Sequence, residues 1–192
     1  FYVELKKTGK IPKEEVLIKA FGEEMKRGRI TKSEYLHFLH AGEEALPVWY
    51  REKGKHASVK DYSEYDFKSQ GVVVSGVPIV GKIDKMHEED GCILVCDYKT
   101  GKVKESWEGK DAREKVTLAN YRRQLTFYKL LVENSHSFEK YRVEKGSLEF
   151  LEPKDGHINE LTVDITDTDA ERLTKLIAVV YAKIVALDFP DV

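Results

Sequence analysis

Residues 81–101 read Gly81-Lys82-Ile83-Asp84-Lys85-Met86-His87-Glu88-Glu89-Asp90-Gly91-Cys92-Ile93-Leu94-Val95-Cys96-Asp97-Tyr98-Lys99-Thr100-Gly101. Asp90-Gly91 is the strongest hairpin signal in the chain, because both residues tolerate the positive φ that a two-residue reversal demands. With those two residues as the loop, Glu89 opposes Cys92, partner numbers sum to 181, and Asp84 falls opposite Asp97. Two carboxylates then share one face of the sheet with Cβ atoms roughly 5 Å apart, which is unfavourable unless something neutralises them. Lys99 points to the same face, since side chains alternate along a strand. A pair of converging acids with an ammonium beside them describes a divalent-metal site with a catalytic cation. Hard oxygen ligands favour Mg2+ or Mn2+, and the carbonyl of Tyr98 could add a ligand.

Working outward, the hairpin is expected to span Ile79–Met86 and Cys92–Tyr98. Its faces are apolar on both sides, with Ile79, Ile83, Leu94 and Cys96 on one and Val80, Met86, Ile93 and Val95 on the other. Such strands sit inside a covered sheet. Further strands are expected at Val59–Phe67, Val72–Val74, Phe138–Phe150 and His157–Val163. Residues 1–55 read as helical, with Pro12 in a first turn, Gly28 as a break, a capping box at Thr31 and Glu34, and a kink at Pro47. A long helix is expected from Lys115 to Asn134, and a last amphipathic helix from Asp167, as its cap, to about Asp188 before Pro190. This order predicts an α/β fold with a mixed central sheet flanked by helices. Residues 1–56 form an N-terminal helical region packed on a core of residues 57–192, within one structural domain.

The chain has 192 residues, 41% hydrophobic and 34% charged, with a formal net charge of −2. Those values describe a globular protein with a real core, and no run approaches the roughly 18 apolar residues of a membrane span. A non-enzymatic nucleic-acid binder usually shows a basic excess. Here the excess is local, in Lys99, Lys102, Lys104, Lys110, Arg113, Lys115, Arg122 and Arg123. Cys92 and Cys96, on one strand, are too few for a zinc or iron–sulfur site and are expected as free, small hydrophobes in a reducing, cytoplasmic compartment. The opening Phe1-Tyr2-Val3-Glu4-Leu5 reads as a helix already under way, hence as part of a longer chain.

The second cluster lies on the long helix. Gln124 and Tyr128 are at i and i+4 on one face, with Tyr121 a turn earlier. The Gln amide and the Tyr hydroxyl could fix Lys99 or a phosphate near the acids. Arg122 and Arg123 read as a solvated face, from which one could track a nucleic-acid backbone. Glu64 is a weaker candidate for the site, and His37 and His40 read as helix surface or core rather than ligands.

Gly81-Lys82-Ile83-Asp84, Asp97-Tyr98-Lys99-Thr100-Gly101 and Gln124-Leu125-Thr126-Phe127-Tyr128, in this order and spacing, resemble the RecB-type branch of the PD-(D/E)XK nuclease superfamily. The resemblance implies a restriction-endonuclease-like core and Mg2+- or Mn2+-dependent cleavage of DNA. It implies metal ligation by Asp84 and Asp97, catalysis by Lys99, and a supporting role at the DNA for Gln124 and Tyr128. It further implies a helicase domain, in the same or a partner chain, and a setting in DNA repair. Two departures stand out. A further metal ligand, a His on a helix before the sheet, would lie at or before Phe1. The four cysteines of the iron–sulfur relatives are missing, so no such cluster is expected. The alternative is a non-catalytic module of the same fold that binds DNA or a helicase.

Overall fold

A computed structural model describes residues 1–188. Five helices and seven strands make up these residues: α1 Tyr2–Thr8, α2 Glu14–Arg27, α3 Lys32–Glu52, β1 Asp61–Asp66, β2 Val73–Val74, β3 Val77–Pro78, β4 Lys82–Glu89, β5 Cys92–Lys99, α4 Ala112–Glu133, β6 Lys145–Lys154, β7 His157–Asp164 and α5 Asp167–Ala186. Strands β1-β4-β5-β6-β7, in that spatial order, form a mixed sheet flanked by helices, and β2 pairs with β3 separately. A restriction-endonuclease-like α/β fold follows.

The β4–β5 hairpin has the register its loop dictates. Its partners run from Glu89↔Cys92 to Lys85↔Cys96, antiparallel, with Asp90 and Gly91 at φ 47° and 82°. The paired ladder ends at Lys85↔Cys96, and Asp84 and Asp97 are the next residues along the two strands. The chain then crosses over through α4 and returns beside β5, where a parallel bridge joins Cys92 to Arg142. A second two-residue reversal, Asp155-Gly156 at φ 53° and 77°, joins β6 to β7.

The chain divides into two compact units: Phe1–Tyr62 with Tyr98–Glu105 and Leu148–Leu161, and Ser63–Asp97 with Ser106–Ser147 and Thr162–Val192. The first is organised around Trp49, whose indole N–H donates to the buried Glu149 carboxylate at 3.3 Å, and around Leu5, Leu148 and Phe150. Phe21 lies so close to Gly42 that any side chain there would overlap its ring, at 2.3 Å. Thr31 and Glu34 make the expected capping box, which satisfies two orphan N–H groups at the start of α3.

The second unit buries Phe67, Ile83, Met86, Ile93, Val95, Leu118, Leu125, Leu131 and Phe138. Lys129 is also buried on α4, where its ammonium donates to the Val143 carbonyl at 2.8 Å and to Glu133 at 2.9 Å. Glu133 in turn accepts from the Val143 N–H at 2.8 Å, so the charges tie the end of α4 to the segment that enters β6. An unpaired buried charge would be costly, and this one is fully engaged.

Several element boundaries differ from expectation. Pro12 lies outside α2, which starts at Glu14 after Lys13. Ile79 and Val80 precede β4. Ile79 bonds Val72 through its N–H, and Val80 is 62% exposed rather than part of a buried face. Strand β6 begins at Lys145, because Phe138 packs in an aromatic cluster with Tyr65, Phe67 and Tyr141 instead of joining a ladder. Helix α4 starts three residues early behind Asp111, which caps Glu114. The cap of α5 is Thr166, in a capping box with Asp169, rather than Asp167. Pro190 lies outside the described residues. Among the described residues, Cys92 and Cys96 are not joined in a disulfide.

Gly146 is closely packed in the second unit's core: a Cβ there would meet Ile165 Cδ1 at 2.9 Å and Leu125 Cβ at 3.2 Å. Overpacking of that kind costs about 1–3 kcal/mol. Urea denaturation of Gly146→Ala is expected to show a lower midpoint by that amount with an unchanged m value. An unaltered midpoint would mean that β6 and α4 separate freely at this position.

Candidate active site

Asp97 is the centre of the candidate site. It occupies the last buried position of β5, 3% exposed, on the face that also carries Ile93 and Val95. The side chains of α4 reach it from above that face. Gln124 Nε2 donates to Asp97 Oδ1 at 2.5 Å, and Tyr128 Oη donates to the same oxygen at 2.8 Å. Gln124 Nε2 also donates to Tyr128 Oη at 3.0 Å, closing a three-membered network. Hydrogen bonds to an ionised acceptor are about twice as strong as neutral ones, so two donors on one oxygen fix that carboxylate firmly.

The approach of α4 depends on Gly81. Any Cβ at that position would lie 2.7 Å from Leu131 Cδ1 and 3.1 Å from Phe127 Cε1. Phe127 and Leu131 flank the face that carries Gln124 and Tyr128. The glycine of the Gly81-Lys82-Ile83-Asp84 string thus lets the helix come close enough for its polar residues to reach Asp97.

Asp84 is half-buried on β4 and its charge is felt at Tyr128. The Tyr128 hydroxyl is pushed far above the ordinary phenol range, first by burial and then by the negative charges of Asp97 and Asp84. It remains a donor at any working pH. Lys82 does not serve the acids: it forms an ion pair with Glu64, whose hydrogen bond is the largest cause holding its ammonium above the usual lysine range. Glu64, exposed and at φ 53° within β1, is therefore committed to Lys82.

The remaining candidates are dispersed. Tyr98 and Lys99 end β5, both half-buried, with the Tyr98 hydroxyl 3.5 Å from that of Tyr2. Alternation along β5 puts Lys99 on the face of Asp97. Lys102 is exposed in the loop that follows. Arg123 is exposed on α4, roughly 100° around the helix from Gln124, and donates to Asn120 at 2.9 Å. Arg122 is exposed, as expected of a solvated face, and its guanidinium lies 4.9 Å from the centre of the Trp107 ring. His40 pairs with Glu44 at 3.5 Å, and His37 lines a groove with Phe21 and Phe38.

The donor set fits a hard divalent cation. Asp84 and Asp97 carry the hard carboxylate oxygens that such a cation prefers. Among the described residues no group of three His, Cys, Asp or Glu side chains could hold a metal. Mg2+ takes such a set readily, because it keeps several waters and binds through one or two carboxylates plus substrate phosphate.

Tyr128 generates a sign for the pH dependence of stability. Its folded-state pKa is raised above the unfolded phenol value of about 10, so the folded protein holds a proton that the unfolded chain releases. Stability therefore declines as pH rises past about 10, by up to about 1.4 kcal/mol per pH unit. Thermal melts between pH 9 and 11.5 (a range of roughly 2.5 units) are expected to show a steeper alkaline fall for the wild type than for Tyr128→Phe. Equal slopes would remove the buried phenol from the site.

Comparison with known proteins agrees with this architecture. The family model described as PD-(D/E)XK nuclease superfamily matches residues 4–191. No curated protein matches the chain. The crystal structure of SSO0001 is similar at 19% identity and a TM-score of 0.41, covering 91% of this chain and 70% of that one. With the match extending over nearly its whole length, the chain belongs to the PD-(D/E)XK nuclease superfamily.

Proposed function

We propose that the chain is a Mg2+- or Mn2+-dependent deoxyribonuclease of the RecB type, working beside a helicase domain in DNA repair or recombination within the cytoplasm. The observation that carries this reading is the Asp97 carboxylate, buried on the sheet and clamped through one oxygen by Gln124 and Tyr128. Superfamily membership suggests nuclease chemistry, and the ordered strings Asp84, Asp97-Tyr98-Lys99 and Gln124–Tyr128 favour the RecB-type branch.

In this reading Asp84, Asp97 and the Tyr98 carbonyl hold the metal. When bound, the cation polarises a phosphoryl oxygen and lowers the pKa of a coordinated water. Lys99 contributes a fixed positive charge that orients the attacking water and offsets charge building on the phosphoryl group. Gln124 and Tyr128 act on Asp97 rather than on the substrate, by keeping its carboxylate in one orientation. They are positioning residues of the kind that tune metal affinity from outside the ligand set. Lys102 and Arg123 meet the DNA backbone, where phosphate contacts set register without reading sequence.

Incubation with single- and double-stranded DNA and Mn2+ or Mg2+ tests the reading. Asp97→Ala and Lys99→Ala are expected to lose at least about 100-fold in cleavage rate. Equal cleavage by all three proteins would identify a contaminant and sink the assignment. Absence of cleavage, with DNA binding that needs no metal, would assign the non-catalytic role instead. Tyr128→Phe and Gln124→Leu are expected to raise the metal concentration for half-maximal activity by about 10- to 100-fold, with a smaller change at saturating metal. A loss that saturating metal cannot restore would place these two groups on the substrate rather than on Asp97.

A further inference from the structure

A second polar site lies on the other side of α4. Counting at 3.6 residues per turn, Arg122 and Thr126 are displaced roughly 160–200° from Gln124, so they face away from the acid pair. There, α4, the end of β7 and the first turns of α5 enclose a cleft of ≈ 300 Å3 whose polar lining includes Arg122, Arg123, Asp164, Asp169 and Arg172. Three guanidiniums thus meet two carboxylates in one concavity.

The carboxylates are not arranged to consume those cations. Asp169 is committed to the start of α5, accepting from the Thr166 hydroxyl at 2.6 Å and the Thr166 N–H at 3.2 Å. Its pKa is lowered mainly by that hydroxyl, and the charges of Arg172 and Arg122 add to the effect from a distance. Among the described residues, no hydrogen bond or ion pair within 4.0 Å engages the side chain of Arg122 or Arg172. Arg122 is nonetheless held in place. Its guanidinium carbon lies 4.9 Å from the centre of the Trp107 ring, and the Trp107 indole N–H is itself anchored to the Thr162 carbonyl at 2.7 Å. A guanidinium stacked on an aromatic ring keeps its edge N–H groups available, and each guanidinium has five donors in a planar fork suited to phosphate oxygens.

We propose that this cleft is a phosphate-binding site, formed by Arg122 and Arg172 with Arg123 at its rim, distinct from the metal-binding acids. Its occupant is a phosphodiester of the nucleic-acid strand outside the point of cleavage. That identification of the occupant rests on the nuclease reading, whereas the phosphate site itself does not. Bidentate Arg–phosphate contacts need no base edge, so the site would position a strand without sequence preference.

Affinity for a labelled single-stranded oligonucleotide, measured in EDTA across a salt series, tests the proposal without cleavage. Each lost phosphate contact reduces the slope of log K against log salt by about 0.7. Arg122→Ala/Arg172→Ala is expected to lower that slope by about 1.4, while the double Lys variant keeps it. Arg27→Ala, which removes an exposed charge on α2, is the control and should leave the slope unaltered. Both arginines are exposed, and circular dichroism checks that the fold persists. In a second arm, inorganic phosphate is titrated against the emission of Trp107, with Trp107→Phe as the blank. A slope change confined to the cleft variants supports strand binding, whether or not the protein cleaves DNA. Unchanged slopes with a Trp107 response that the double Ala variant abolishes would identify free phosphate as the ligand. Unchanged slopes with no phosphate response, or an equal fall in Arg27→Ala, would overturn the site.

Discussion

A carboxylate buried on the apolar face of a sheet must be stabilised by something, and the structure around Asp97 is organised by that requirement. Burying an unsupported charge costs several kcal/mol, more than most single interactions return. Two neutral donors from α4 meet it, and one of them, Tyr128, is held firmly in its protonated form by the same burial and the same negative charges. Neutral donors suit the task better than a salt bridge would. An arginine or lysine in their place would neutralise the carboxylate and compete with a cation for it, whereas an amide and a phenol orient Asp97 while leaving its charge in place. Lys82, on β4, is engaged by Glu64.

The same distinction separates the two polar sites of α4. On the face toward the sheet, negative groups are concentrated and neutral donors surround them. On the opposite face, positive groups are concentrated, and the neighbouring carboxylate Asp169 is occupied in capping α5. A helix whose two faces carry opposite electrostatic tasks has an unusual sequence, Gln124 and Tyr128 alternating with Arg122, Arg123 and Thr126. The formal net charge of −2 conceals this, because acids that hold a metal and arginines that hold a phosphate nearly cancel in a sum.

How much of this was legible depended on whether a local rule stood alone. Asp90-Gly91 specified the β4–β5 register because both residues tolerate the positive φ that a two-residue reversal demands. The Thr31–Glu34 box was equally explicit. Ser75-Gly76, with φ 49° and 78°, uses the same reversal between β2 and β3, but strands of two residues carry too little period to announce it. Phe138 misled for a different reason. Its neighbourhood alternates like a strand, yet Tyr65 and Phe67 from far along the chain, with Tyr141 close by, hold it in a turn, a tertiary effect that no local pattern encodes. The arginine cleft was invisible for the same cause. Trp107, Arg122 and Arg172 lie far apart along the chain, and each looks like an ordinary surface residue until the helices pack.

The order of the three sequence strings follows from this packing. Gly81 must precede Asp84 because the strand entering β4 passes beneath α4, where Leu131 and Phe127 leave no room for a Cβ. Those two residues flank the face of α4 that carries Gln124 and Tyr128, so close approach at Gly81 and hydrogen bonding at Asp97 are parts of one contact. The two acids stand just past the end of the hairpin ladder, and the glycine sets how near the helix comes. Gln124 and Tyr128 then have the reach to orient the Asp97 carboxylate through one of its oxygens. Each string is weak evidence when taken singly, since glycines before strands and Gln–Tyr pairs on helices are common. Together they describe one mechanical linkage, and a linkage requires all of its parts in a single spatial order.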